Sequence, residues 1–195
     1  MSRALDNTVE LISDSGRIFC SGFIMKGAVI TAAHCVEGDL YVKARMHDGH
    51  EMLLRVVRLN VKQDYAAAIA VDGTKLGDGI PLASGAPRYG DEVFVLGHSK
   101  GDAFPYSLTR GIVSHPDRLD GLFPEMRWMQ HDAGSIGGNS GGPVMNKHGR
   151  LVGLTSFGAL GRILCGFPNC PPLFARTHTS GAVHYATAAA HLAPC

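Results

Sequence analysis

No apolar run in this chain is longer than a strand, and nearly every one is closed by glycine, proline or a short Asp/Ser/Asn turn. Runs of four to ten residues with loose apolar/polar alternation fit half-buried antiparallel strands, not helices, which need apolar positions three to four residues apart over a longer span. The 25 glycines and 10 prolines in 195 residues supply the turns. The pattern predicts strands over Thr8–Ser13, Arg17–Met25, Ala28–Thr31, Leu40–Met46, Glu51–Val61 and Ala66–Val71, with turns at Asp14–Gly16, Lys26–Gly27 and His47–His50. Asp72–Pro87 is rich in glycine, proline and small polar residues and is predicted to connect two lobes. A second set follows at Glu92–Gly97, Tyr106–Ser114, Arg127–His131, Pro143–Asn146, Arg150–Phe157 and Ala182–Ala186, and Thr187–Leu192 is predicted as a short C-terminal helix capped by its threonine. The expected fold is all-β, two six-stranded antiparallel β-barrels, with residues 1–79 forming the first lobe and 80–195 the second.

One stretch is not explained by folding needs. Asp132–Pro143 places five glycines around Ser140. Glycine costs folding entropy and packs nothing, so this crowding suggests backbone amides that approach something outside the protein. The amides of Gly138 and Ser140 are expected to form an oxyanion hole beside the Ser140 hydroxyl, with Gly141 and Gly142 letting a substrate backbone pass. A serine hydroxyl is a weak nucleophile and needs a histidine base oriented by a carboxylate. In Val29–Cys35 an apolar strand runs into small residues and presents His34 on a tight turn. In Lys62–Val71 the carboxylate of Asp64 stands at the mouth of a strand and is the expected partner; Asp48 in a hairpin turn, Asp72 after its apolar run and Asp78 lie in the same half and are the alternatives. With His34 and Asp64 in the first lobe and Ser140 in the second, the three can meet only where the lobes face each other.

Thr31-Ala-Ala-His-Cys35 and Gly138-Asn-Ser-Gly-Gly-Pro143 resemble the two signature segments of trypsin-like (chymotrypsin-fold) serine proteases. Val93–Gly97, Thr109–Ser114 and Gln130–Ala133 look closer to the bacterial, organellar and viral branches, HtrA-type proteases included, than to digestive trypsin. The resemblance implies an endopeptidase acting on polypeptides through an acyl-enzyme, without metal or cofactor, either polyprotein-processing and viral or phage-encoded, or bacterial and intracellular. A catalytically idle protease fold serving as a binding module, or an esterase, are the alternatives. The family pattern also implies that Gly134 and Ser135 floor the specificity pocket without a carboxylate for lysine or arginine. Its walls are expected from Thr155, Ser156, Phe157 and Gly158 and from the segment around His184. Ser156–Gly158 is expected to pair with the substrate backbone, and His184 with Thr155 to favour a glutamate or glutamine side chain. Asn139 stands where zymogen-activated relatives carry an aspartate, which implies assembly without a newly cut N-terminal amine.

Cys20 and Cys35 occupy the places of a disulfide common in that family, although reduced thiols fit a chain without a signal peptide equally well. Cys165 and Cys170 are close enough to staple a loop, Cys195 is odd, and no Cys-x-x-Cys spacing suggests a metal. Met1–Cys20 carries five charged side chains and no signal-like apolar core, so a cytoplasmic place, or release from a precursor, is expected. A net charge of +1 gives no electrostatic case for nucleic acid or an anionic membrane as partner.

Overall fold

In the computed structural model, residues 2–120, 123–159 and 183–188 are described. The first sheet contains β1 (Thr8–Ile12), β2 (Ile18–Met25), β3 (Ala28–Thr31), β4 (Tyr41–Arg45), β5 (Glu51–Asn60) and β6 (Tyr65–Ala70). They pair antiparallel in the order β1-β2-β3-β6-β5-β4, and β4 returns to β1 to close a barrel. The strands follow the predicted runs within a few residues. The inward positions are often small, as at Ala44, Ala66 and Ala68, and leave room for Leu11, Phe23, Val29 and Leu54 in the barrel's interior.

The second sheet contains β7 (Glu92–Ser99), β8 (Phe104–Asp120), β9 (Phe123–His131), β10 (Pro143–Asn146), β11 (Leu151–Ala159) and β12 (Val183–Ala188). It curls, with β12 between β11 and β9 and with β10 paired to β7. Its core is Val93, Val95, Val113, Met129, Val144 and Val152. Leu96, Met145, Leu151 and Leu154 belong to the other cluster and pack with residues of the first barrel, so the seam between the sheets is itself apolar. At roughly 25 cal/mol per Å² of apolar surface removed from water, such a seam resists separation.

Several expectations need correction. Thr187 and Ala188 are not the start of a helix. They extend β12, and Thr187 pairs with Leu154 and Trp128; the rest of that expected helix lies outside the described residues, as do Cys165, Cys170 and Cys195. β8 runs six residues past its predicted end. Pro116 reads as a stop in sequence, but the register breaks between His115 and Arg118, and a bulge tolerates a residue without an N–H. A one-turn helix α1 (Ser2–Asp6) precedes β1. Thr8 Oγ1 donates to the Ala4 carbonyl at 2.8 Å and ties the two together.

The connector is not a loose linker. Ile80 N donates to Ile24 O (2.9 Å), Lys26 N to Asp78 O (3.0 Å) and Gly27 N to Gly77 O (2.9 Å). Gly79 has a φ of +65°, and a Cβ there would lie 1.9 Å from the Ile24 carbonyl oxygen, so only glycine allows this approach. Just beyond, Leu151 N donates to Pro81 O (2.8 Å) and Ala83 N to Leu151 O (2.9 Å), which fastens the same segment to β11.

Candidate active site

His34 is delivered by the end of β3. Ala32 is still extended, with φ −74° and ψ 144°, and a single 3₁₀ turn, Ala33–Cys35, then lifts the histidine out of the core while Ala33 and Cys35 stay buried. Cys20 on β2 and Cys35 are joined by a disulfide that fixes the far side of this turn. Their sulfurs and an imidazole nitrogen of His34 cluster within 4.8 Å, but the sulfurs are bonded to each other and leave no thiolate for a metal there.

Asp64 is placed by a second turn. Asn60 at the end of β5 accepts from Gln63 N (3.0 Å), closing the 3₁₀ turn Val61–Gln63, and Asp64 follows in the left-handed region with φ 47° and ψ 52°. That conformation is uncommon for a residue with a Cβ, and here it aims the carboxylate inward. Asp64 accepts from the His34 backbone N–H (3.0 Å) and from His34 Nδ1 (2.9 Å to Oδ2), and the Ser156 hydroxyl donates to Oδ2 in a short contact. Burial alone would raise the Asp64 carboxyl, but the His34 hydrogen bonds and charge outweigh it and the group titrates below its ordinary value. The bond to Asp64 raises the His34 imidazole above its ordinary value against the opposing effect of burial. Because Nδ1 donates to the carboxylate, the neutral ring carries its lone pair on Nε2. The His34 side chain is 46% exposed and that of Asp64 11%, so the base can reach a ligand while its partner stays dry.

Ser140 sits between the sheets. Its carbonyl accepts from Ser21 N on β2 (2.8 Å), and its hydroxyl donates to the Ser156 carbonyl on β11 (3.2 Å). Ser156 thus joins the group, with its side chain on Asp64 and its main chain on Ser140. Sequence reasoning placed Ser156 in a pocket wall and in the segment that pairs with substrate; the structure places it against the carboxylate as well. Among the described residues the Ser140 hydroxyl has no hydrogen bond to His34, so its proton is parked on Ser156.

The loop before Ser140 is held from behind. Gly138 has a φ of +101°, and a Cβ there would stand 2.0 Å from the His98 carbonyl oxygen. Lys100 N donates to Gly137 O (2.6 Å), and since a trans peptide points its C=O and N–H in opposite directions, the Gly138 amide faces away from Lys100. Asn139 is buried and accepts from Ser99 Oγ (2.9 Å). Its carbonyl accepts from Gly142 N (2.9 Å), which by the same reasoning turns the Ser140 amide away. Gly141 and Gly142 do not leave a path for substrate. A Cβ at Gly141 would meet Ser21 O and Thr31 Oγ1, both at 2.2 Å, and one at Gly142 would meet Leu96 O at 2.3 Å. Gly141 lets the serine loop close against the first sheet, and Gly142 lets it close against β7 of its own. Nothing in the sequence marked Ser21, Thr31, His98 or Ser99 as the supports of this loop, because they lie within or at the ends of strand-like runs far from it in the chain.

Of the expected pocket residues, Gly134 is exposed and its carbonyl accepts from Thr109 Oγ1 (2.6 Å), and Ser135 is half-buried. Thr155 is buried, and its Oγ1 has no hydrogen-bond partner among the described residues. Its main chain meets the serine loop, with Gly141 N donating to Thr155 O (2.6 Å) and Thr155 N to Gly142 O (2.8 Å). The pairing of β11 with β12 shifts between Thr155 and Gly158, and His184 on β12 lies opposite Gly158 on one side and His131 on the other.

Residues 20–154 match the trypsin-like peptidase domain. The serine protease Do-like HtrA of Bacillus subtilis is 30% identical over 174 residues, covering 80% of this chain and 36% of that protein. A probable periplasmic serine endoprotease, DegP-like, of Halomonas elongata is 32% identical over 151 residues, covering 74% of this chain and 30% of that protein. The chain therefore spans about a third of the length of these relatives. A serine endoprotease from Yersinia pestis has the same fold, with a TM-score of 0.71 and 23% identity, covering 98% of this chain and 61% of that one. These relatives are bacterial, and the DegP-like one is described as periplasmic, so neither a viral origin nor a cytoplasmic place gains support from them. Among the described residues no helix is long and apolar enough to cross a membrane. The HtrA and DegP relatives agree with the branch that the strands around Gly97 and Gly111 suggest, and on the match over residues 20–154 the chain belongs to the trypsin-like peptidase domain family.

Proposed function

We propose that the chain is the catalytic unit of a serine endopeptidase in which Asp64 orients His34, His34 is the base, and Ser140 is the nucleophile. The observation that carries this reading is Ser156, whose hydroxyl is on Asp64 and whose carbonyl holds the Ser140 hydroxyl, so that the alcohol and the carboxylate that holds His34 meet on one residue of β11. In the reaction the Ser140 hydroxyl leaves the Ser156 carbonyl and gives its proton to His34 Nε2 as Oγ attacks the scissile carbonyl. His34 then protonates the leaving amine, and an ester links the acyl group to Ser140. Water, deprotonated by His34, cleaves the ester. The amides of Gly138 and Ser140 receive the oxyanion, a role supported by their N–H groups being turned away from Lys100 N and Gly142 N, which hold the preceding carbonyls. The neutral Asn139, already anchored by Ser99, supports assembly of this loop without an N-terminal amine.

The substrate is a polypeptide that adds a strand along Ser156, Phe157 and Gly158. Gly134 and Ser135 offer no carboxylate to a basic side chain, and Thr155 and His184 are assigned to an acidic or amide one. The two-barrel architecture, divided at residues 1–79 and 80–195, belongs to the same reading. A fluorophosphonate probe tests it: the folded protein is labelled at Ser140, Ser140→Ala is not, and the variant unfolds at the same temperature. Failure of the folded native chain to label at all would instead make it an idle binding module.

A further inference from the structure

Behind the serine loop lies a buried polar group that the chemistry above does not use. Glu10 on β1, Ser21 on β2 and His98 on β7 come from both sheets, and His98 is fully buried. Ser21 Oγ has three neighbours: His98 N at 2.9 Å, His98 Nδ1 at 3.1 Å and the Gly138 carbonyl oxygen at 2.8 Å. Gly97 makes the crowding possible, since a Cβ there would stand 2.9 Å from Ser21 Oγ and 3.0 Å from Asn139 Oδ1.

A hydroxyl has one proton to give. The His98 N–H is a donor and the Gly138 oxygen can only accept, so the Ser21 proton goes to Gly138, and His98 Nδ1 must then carry its own hydrogen. That leaves Nε2, which lies at ion-pair distance, 3.4 Å, from Glu10 Oε1 and forms no hydrogen bond among the described residues. Two unprotonated atoms facing each other in a buried site repel, so one proton must reside between Glu10 and His98. If it is lost, the hydrogen of the neutral imidazole is drawn to Nε2 beside the carboxylate. Nδ1 then competes for the Ser21 proton, and Gly138 loses its donor.

We propose that Ser21, His98 and Glu10 are positioning residues for the oxyanion loop, a proton shared by Glu10 and His98 being what keeps the Ser21 hydroxyl on the Gly138 carbonyl. The inference rests on the protease reading. Burial pushes the His98 imidazole down to about 4 and pushes the Glu10 carboxyl up, and a proton shared by the pair relieves both costs. The surrounding charges are accounted for. Arg45 on β4 pairs with Glu10 Oε2 (3.1 Å) and favours its carboxylate, whereas Glu51 on β5 and Asp102 beyond β7 raise it. The Tyr106 ring of β8 packs edge-on to His98 at 4.4 Å, and His47 lies behind it at 4.7 Å; Asp48 is the further charge acting on Tyr106.

The test combines kinetics with ¹⁵N NMR of the imidazoles. In the native protein at neutral pH, His98 Nδ1 is protonated. Ser21→Ala lowers kcat about tenfold or more with KM within about twofold, as expected when transition-state stabilisation alone is weakened. The native enzyme loses kcat on the alkaline side as the shared proton leaves, and Glu10→Gln, whose amide supplies a hydrogen toward Nε2 that cannot ionise, abolishes that decline. A native His98 carrying its hydrogen on Nε2 alone at neutral pH would overturn the proposal, as would an unchanged kcat in Ser21→Ala or an unchanged alkaline decline in Glu10→Gln. If Ser21→Ala does not fold, the native tautomer decides. The NMR result also stands if the native chain has no peptidase activity, which separates failure of this proposal from failure of the protease reading.

Discussion

Replacing Gly138 by alanine tests the serine loop against a built-in control. The new methyl would stand 2.0 Å from the His98 carbonyl oxygen and 3.0 Å from two backbone nitrogens, those of Lys100 and Gly101. None of these belongs to a flexible side chain. Relief requires the loop to move by about an ångström, and such a displacement removes a hydrogen bond whose optimum spans only a few tenths of an ångström. Loss of one oxyanion donor corresponds to a fall in kcat of about 10² to 10³. A left-handed conformation forced on alanine adds about 1–2 kcal/mol of destabilisation. Gly137 is the control: a Cβ there meets nothing within 4 Å and its φ lies outside the left-handed region. Steady-state kinetics on a peptide ester, with thermal melts of both variants, should show Gly138→Ala losing kcat at nearly constant KM and Gly137→Ala behaving as the native enzyme. Equal kcat values in the two variants would refute the assignment of the Gly138 amide.

Asp64→Asn presents an amide to His34 Nδ1 and reverses the tautomer, so kcat should fall by about 10⁴, measured by turnover with the fold verified by circular dichroism. The low-pH limb of kcat/KM in the native enzyme should lie above the ordinary imidazole range, because Asp64 raises His34 and the base works only when unprotonated. The same raised value means that the His34–Asp64 pair adds stability that is fully present below the ordinary imidazole pKa and is lost as pH rises through the raised one, the opposite trend, which melts across that range would register. Reduction of Cys20–Cys35, which closes a separation of 15 residues, should lower unfolding stability by about 3 kcal/mol in denaturant titrations with and without reductant.

His34, Asp64 and Ser140 stood out in the sequence because nucleophilic chemistry demands particular residue types, and each lies beside an unmistakable break in strand pattern. The first barrel was readable for a similar reason: its turns at Gly16, Gly27 and Gly49 are places where the backbone needs a positive φ. The support for the site was hidden. Ser21 follows Cys20 in an apolar run and His98 ends another, and nothing local distinguishes a polar residue that faces the neighbouring sheet from one that faces water. Gly141 and Gly142 stood out, but their purpose was misread, since only coordinates reveal whether the space a glycine leaves open is filled by substrate or by the protein's own backbone. The expected end of β8 at Ser114 fell short because a bulge between His115 and Arg118 carries the strand past Pro116.

Fastening residues 77–80 to β2 and the turn that follows it, and residues 81–83 to β11, makes this crossing a brace and not a hinge. Ser140, the proposed nucleophile, and His34, its proposed base, are carried by different sheets, yet the span between the sheets has no slack with which to vary their separation. Any adjustment that brings the alcohol to the imidazole must therefore come from rotation about side-chain bonds or from the glycine loop itself, and not from one half swinging toward the other.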